Sequence, residues 1–175
     1  MKKLLTFVVL NMVLAVFGQL SAEVFDNAID YTLPQTGQKW KVGYELKNDK
    51  IKMVAYIPEN EEKQSATESF AISIVKGKSD QLVKPEEGIK SFLKSLSERE
   101  GVEIDSKVIS SSENEALVEW WTKDGKSHNW VRGITTPDEI ITIMYTTRSQ
   151  DKIDQAAKNW IPVLSGAKIL QPARA

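Results

Sequence analysis

The segment that decides the fold is E-A-L-V-E-W-W-T-K-D-G-K-S-H-N-W-V-R, Glu115–Arg132. Apolar residues recur on both sides of Asp124-Gly125, a dipeptide that favours a two-residue β-hairpin turn. With that turn, Trp121 pairs with His128 and each strand keeps a period of two. The segment therefore predicts two antiparallel strands, Ala116–Thr122 and Ser127–Ile134.

A second turn extends this hairpin into a meander. Pro137-Asp138 follows the second strand, and Glu139–Thr147 continues the strand pattern. With two-residue turns at both places, one face of the meander carries aromatic rings mixed with polar groups: Trp121, His128, Trp130, Tyr145, Glu119 and Arg132. The other face carries Val118, Trp120, Val131 and Met144.

The mixed face is the candidate binding site. Aromatic rings with a few polar groups suit the recognition of a protein or of a small organic ligand. The alternative is that a helix covers this face and the rings belong to the core. A Trp–His pair across two strands also occurs as ordinary hairpin stabilisation. The residues alone leave both readings open.

Two amphipathic helices are predicted outside the meander. Pro85 suits a first helical turn, and Gly101 suits a helix end. Between them lies an apolar stripe at helical spacing: Ile89, Phe92, Leu93 and Leu96. The second helix has Ser149 as its predicted N-cap, and Pro162 is expected to bend or end it. Its stripe comprises Ile153, Ala156, Ala157, Trp160, Ile161 and Leu164.

The remaining strands complete an α+β domain. Trp40, Val42, Tyr44 and Leu46 alternate with polar residues, and a two-residue loop at Asn48-Asp49 would place Trp40 opposite Ile57 and Glu45 opposite Lys52. Further strands are predicted at Phe70–Val75, Val102–Ser110 and Ala167–Leu170. The order of strands, helix, strands and helix predicts an antiparallel sheet flanked by two main amphipathic helices.

The N-terminus is typical of a secretory signal peptide. Lys2 and Lys3 precede an apolar stretch, 4–17, which is followed by small residues ending at Ala22. We therefore expect a signal peptide at 1–22, a single domain at 23–175, and export to the periplasm or the outside of the cell. Because the chain has no cysteine, we expect neither a disulfide nor a lipidated cysteine, and thus a soluble mature chain.

Several chemistries are disfavoured by the composition. One histidine and no cysteine exclude the common structural zinc sites, and no phosphate-binding glycine loop or nucleophile motif occurs. Charges of both signs are interspersed, unlike the basic face of a nucleic-acid binder. We therefore expect no catalytic residues, metal, cofactor or nucleic-acid partner. A carboxylate pair could still serve as acid and base, with Glu113, Glu115 and Glu119 as candidates by residue type alone.

Y-T-L-P at Tyr31–Pro34 is followed by Trp40, the strand E-S-F-A-I-S-I, the helix after P-E-E, the meander rich in Trp and Thr, and the closing amphipathic helix. This order resembles that of the PsbP-like superfamily, which includes the bacterial DcrB-type envelope proteins. The resemblance spans Tyr31 to Ile169. It implies an antiparallel sheet flanked by helices and a role in binding or assembly, with no shared catalytic motif.

Three functions follow, in order of preference. The first is a non-enzymatic exported protein that binds another envelope or secreted protein. The second is a small-ligand carrier with an aromatic pocket between sheet and helix, and the third is a hydrolase with a carboxylate pair. A protein binder should expose an apolar patch, a carrier should enclose one, and a hydrolase should show a cleft with converging carboxylates.

Overall fold

The computed structural model describes residues 29–34, 36–77 and 83–169. The predicted signal peptide, 1–22, lies outside the described residues. Within the described ranges, no helix has the length and apolar character needed to cross a membrane.

Seven antiparallel strands form one sheet, in the order β2-β3-β4-β8-β7-β6-β5, and two short strands, β1 and β9, pair separately. The elements are β1 (Ile29–Asp30), β2 (Trp40–Lys47), β3 (Ile51–Pro58), β4 (Glu68–Lys76), α1 (Pro85–Glu100), β5 (Ile104–Ser111), β6 (Glu115–Thr122), β7 (His128–Thr135), β8 (Glu139–Thr147), α2 (Ile153–Gly166) and β9 (Lys168–Ile169). This arrangement confirms the predicted α+β class.

The two helices lie on opposite faces of the sheet. Val118 on β6 belongs to the apolar core beneath α1, whereas its neighbour Leu117 belongs to the core beneath α2. Adjacent residues of a strand point to opposite faces, so the two cores are separated by the sheet itself. Helix α1 packs on β5, β6 and β7, and helix α2 packs on β7 and β8.

The predicted register of the meander is confirmed. Trp121 pairs with His128, and Trp130 pairs with Tyr145. Gly125 has a φ of 73°, the left-handed conformation that the Asp124-Gly125 turn requires. The turn at Pro137-Asp138 is closed by a backbone hydrogen bond from the Thr136 N–H to the Glu139 carbonyl oxygen.

The predicted register of the first hairpin is wrong. Tyr44 pairs with Ala55, and Glu45 pairs with Val54 instead of Lys52. The Asn48 side chain accepts hydrogen bonds from the N–H groups of Lys50 and Ile51, which widens the loop and moves the register by two residues. A shift of two leaves the side chains from Tyr44 to Lys47 on their own faces, so the alternation of residue types could not reveal it.

A β-bulge between Val42 and Tyr44 divides β2 between the two faces. Trp40 and Val42 pack against the core beneath α2. Tyr44 points to the opposite face, so the prediction that these three residues share one face is also wrong. The bulge favours glycine at position 43, because a Cβ there would lie 2.9 Å from Cγ2 of Ile57.

Both helices occur where they are predicted, but the N-cap of α2 is Lys152 instead of Ser149. Pro85 is in the first turn of α1, and Gly101 ends it with a φ of 65°. Helix α2 follows a single 3-10 turn, and Ser149 precedes that turn without a capping hydrogen bond from its side chain. Pro162 does not end α2, which continues to Gly166.

Candidate functional site

The predicted mixed face lies beneath α2. Trp130 is 0% exposed and Tyr145 is 2% exposed. The Trp160 ring on α2 stacks on Tyr145 with ring centroids 4.2 Å apart, and the Trp130 ring centroid lies 6.0 Å from that of Tyr145. Burial raises the pKa of the Tyr145 phenol above its ordinary value. These rings fill the space between sheet and helix.

The polar members of this face are held by hydrogen bonds. Nη1 of Arg132 lies 2.7, 3.0 and 2.8 Å from the carbonyl oxygens of Leu164, Ser165 and Ala167, at the end of α2. Its Nη2 is 2.5 Å from a carboxylate oxygen of Glu115. The guanidinium therefore satisfies carbonyl groups that the helix leaves without partners.

The outer edge of this face carries a smaller group. Nε2 of His128 is 2.8 Å from Oε1 of Glu119. The His128 ring stacks between Trp121, at a centroid distance of 5.5 Å, and Trp130, at 4.6 Å. Trp121 is half-buried, so it is the one predicted aromatic residue that reaches the surface.

A groove of about 730 Å³ lies on the opposite face, where α1 does not extend. We call it the sheet groove. Its floor is formed by β3, β4, β7 and β8 with Tyr44 of β2 at the far side, and its walls by the 63–67 loop and the turn at 125–127. Its volume is within the range of roughly 300–1,000 Å³ that is typical of small-molecule sites.

Strand register arranges the floor of the groove in three rows. The cationic row consists of Ser127, Arg148 and Thr67. The amide row consists of Asn129, Thr146 and Ser69. The apolar row consists of Met144, Ala71, Ala55 and Tyr44. Successive rows are two residues apart along the strands, or about 7 Å. Polarity therefore falls from one end of the groove to the other over about 14 Å.

Asn129 organises the polar end of the groove. Its side chain is buried at 1% exposure. Its Nδ2 donates to Oγ of Ser127 at 2.8 Å, and its Oδ1 accepts from the Thr146 hydroxyl at 2.7 Å. Because the Ser127 oxygen accepts from Asn129, its own O–H is free to donate to a bound group.

Positive charge dominates the groove lining. Lys63, Lys126 and Arg148 line it, and neither Lys63 nor Arg148 forms an ion pair with another described residue. The acidic lining residue is Glu68. Its carboxylate is 3.2 Å from Nζ of Lys152, and Glu68 lies on the side of β4 that faces α2.

Carboxylates do not converge on the groove. Across the described ranges, no group of three or more His, Asp and Glu residues is placed to hold a metal ion. The groove therefore offers cations, hydroxyls, an amide and an apolar floor, which suit binding of an anionic group beside an apolar one.

This groove was not predicted from the sequence. Its residues come from five strands and two loops, and the opening depends on how far α1 extends over the sheet. Two signals were present: Gly43 inside a strand pattern, which is typical of a bulge or a close approach, and Asn129 among apolar strand residues.

No family model matches this chain, and no curated protein sequence matches it. The solution structure of cyanobacterial PsbP (CyanoP) from Synechocystis is similar in fold, with 13% identity and a TM-score of 0.54; the match covers 87% of this chain and 98% of that chain. This similarity confirms the PsbP-like fold that the order of motifs predicts.

Two further structures match over most of their length. A point mutant of the protein Mog1 has 12% identity and a TM-score of 0.48, covering 90% of this chain and 98% of that chain. The Ran-binding protein Mog1p of Saccharomyces cerevisiae has 13% identity and a TM-score of 0.40, covering 77% of this chain and 97% of that chain.

Proposed function

We propose that this chain is an exported binding protein without catalytic activity, which holds a small organic ligand in the sheet groove. The observation that carries the proposal is the groove itself, which combines an apolar row with a polar, positively charged end. A few polar groups placed at one end of an apolar cleft are the usual means of orienting a small ligand.

The distribution of apolar surface favours a small ligand over a protein interface as the main function. Among the described residues, the large hydrophobic side chains that are exposed are Val83, at 53%, and Val108, at 38%. Val83 precedes α1 and Val108 lies on β5, so they belong to different elements. The apolar residues of the groove are instead largely enclosed, with Met53 and Ile57 buried.

A peptide is also a poor occupant of the groove. The strands of its floor, β3, β4, β7 and β8, are each paired on both sides. An extended peptide lying across these four strands would find no free strand edge among them, since the free edge of β2 lies beyond Tyr44 at the far side of the groove. Where it crosses the apolar row, its backbone polar groups would lack hydrogen-bond partners. A ligand with an apolar body avoids this loss.

The proposed location is the cell envelope or the outside of the cell, on the basis of the signal peptide predicted at 1–22. With the PsbP-like fold, that location is the one expected of a DcrB-type envelope protein. The carrier expected from the sequence has an aromatic pocket between sheet and helix. The sheet groove instead lies on the face of the sheet opposite α2, and it contains one aromatic side chain, Tyr44.

Native mass spectrometry of the mature chain, 23–175, purified from the periplasm of an expression host, tests the proposal. The expected result is a population carrying a small molecule. Ala55→Trp, which fills the apolar row, should lose that population. Ser91→Trp on the exposed side of α1 is the matched control and should retain it. Equal occupancy of both variants would contradict the assignment of the groove.

The second candidate function is binding of another envelope or secreted protein. Two observations favour it: β5 is an exposed edge strand carrying Val108, and Trp121 reaches the surface beside His128. An edge strand can pair with a strand of a partner, although the bulge between Val108 and Ser110 limits this pairing.

Affinity capture from envelope extracts tests this second candidate. The mature chain would be compared with the double variant Trp121→Ala/His128→Ala, after circular dichroism has established that the variant is folded. A partner that is retained equally by both forms would rule out the Trp121 edge as the interface.

A further inference from the structure

The order of the three rows defines the chemical class of the ligand. We propose that the sheet groove recognises an anionic amphiphile, a small molecule with an apolar body and one carboxylate or phosphate head group. This inference rests on the proposed function, because it specifies what the groove binds. The body lies on the apolar row, and the head lies at the cationic row.

The position of Arg148 supports this orientation. Its backbone N–H donates to the Thr67 carbonyl oxygen at 2.8 Å, which fixes the residue at the groove end where β8 meets the start of β4. Its side chain is exposed and lines the groove. A guanidinium can donate two parallel hydrogen bonds to a carboxylate or phosphate, which is stronger and more directional than contact with an ammonium group.

The groups beside Arg148 are complementary to the same head. The Ser127 hydroxyl, which is fixed by Asn129, has a proton to donate. Lys126 adds a second cation, shared with Asp124 at 2.9 Å, and Lys63 adds a third from the opposite wall. A neutral or cationic head would offer the Arg148 guanidinium no anionic acceptor for its paired N–H groups.

The apolar row favours a flexible body over a rigid one. Met144 belongs to it and Met53 lies two residues beyond Ala55 on β3, and methionine side chains adapt to irregular shapes. Ala71 and Ala55 have small side chains, which leave space above the centre of the floor. Tyr44 bounds the groove on the far side, at β2. About 14 Å separates the cationic row from the apolar row, which suits an extended alkyl chain attached to the head.

Isothermal titration calorimetry with three matched probes tests the inference. Decanoate, decyl phosphate and decan-1-ol share the alkyl chain and differ in the head. We expect the mature chain to bind at least one anionic probe about tenfold or more tightly than decan-1-ol, because charge-assisted hydrogen bonds are lost with the neutral head. The ratio of the two anionic probes identifies the head as carboxylate or phosphate.

Variants then locate the head and the body. Arg148→Gln should weaken the preferred anionic probe about tenfold or more and leave decan-1-ol unchanged. Lys94→Gln, which removes an exposed charge from α1, is the control and should change neither. Ala55→Trp should abolish binding of all three probes. Binding of the anionic probe should also weaken as salt is raised.

Three results would overturn the inference. If decan-1-ol binds as tightly as both anionic probes, or if Arg148→Gln has no effect, the head is not recognised at the cationic row. If no probe binds, the ligand is not of this class. In each case the native mass spectra decide separately whether the groove binds a small molecule, so the proposed function can stand when this inference fails.

Discussion

The Trp160 indole on α2 lies flat on the Tyr145 phenol ring on β8, with centroids 4.2 Å apart and an interplanar angle of 14°. Trp160 also stacks on Phe70 at 5.0 Å and meets Trp40 edge-on at 5.7 Å. One side chain of α2 thus contacts rings from three strands. Together with the buried Ala156 and Leu164, this residue packs the helix on the sheet.

Trp160→Ala should therefore lower the free energy of unfolding by about 3–5 kcal/mol, the usual range for truncating a buried Trp. Urea denaturation followed by circular dichroism measures the change. Lys158→Ala, on the exposed side of the same helix, is the control and should stay within about 0.5 kcal/mol. A loss below about 1 kcal/mol for Trp160→Ala would mean that α2 is held by other contacts.

Arg132→Met should cost about 2–4 kcal/mol, because it leaves the carbonyl groups of Leu164, Ser165 and Ala167 without their charged donor. Hydrogen exchange should increase most in the last turn of α2 and in β9. Glu115→Gln is the matched control, and it should cost less than about 1 kcal/mol, since that half of the ion pair is exposed. Equal losses in the two variants would assign the stability to the ion pair instead.

Gly43→Ala should lower stability by about 1–3 kcal/mol through overpacking, because the new Cβ would meet Cγ2 of Ile57 at 2.9 Å. Ile57 lines the sheet groove, so chemical shifts of groove residues should move as well. Gly166→Ala, where a Cβ meets nothing within 4 Å, provides the comparison. If Gly43→Ala is as stable as the parent chain, the bulge can shift without strain.

The Asp124 turn should contribute to stability in a defined pH window. Hydrogen bonds from the Lys126 and Thr122 side chains and from the Lys126 backbone lower the pKa of Asp124 to about 2. Because the folded state favours the ionised form, this contribution is complete above the unfolded pKa of about 4 and is lost between about pH 4 and pH 2.

An NMR titration of the Asp124 carboxyl carbon measures this pKa directly. Lys126→Gln should raise it towards the ordinary value, since the largest cause of the shift is removed. A pKa at or above about 3.9 in the parent chain would show that the turn does not hold the ionised carboxylate.

Local sequence signals were sufficient where one residue type specifies one geometry. Asp124-Gly125 and Pro137-Asp138 set the register of β6, β7 and β8, and Gly101 ended α1 through its left-handed conformation. The hairpin of β2 and β3 was misjudged because Asn48 widened its loop, and a two-residue shift preserves the alternation of faces.

The candidate site was harder to predict, because coverage of a sheet face is decided by distant parts of the chain. The six residues of the mixed face do share one side of the meander, yet α2 covers most of them. Conversely, Arg148 and Ala55 lie far apart in sequence and become neighbours of one groove only after β4 pairs with β8.

That pairing also has a kinetic consequence. Strands β4 and β8 join residues about 70 positions apart, whereas the other pairs of the large sheet connect strands that are consecutive in the chain. We expect each consecutive group of strands to form early and the β4–β8 seam to close last, since its long loop carries the largest entropy cost. The apolar row spans this seam through Met144 and Ala71. A molecule seated there would bridge the two halves of the sheet and slow their separation, so the loaded protein should resist proteolysis far longer than the empty one.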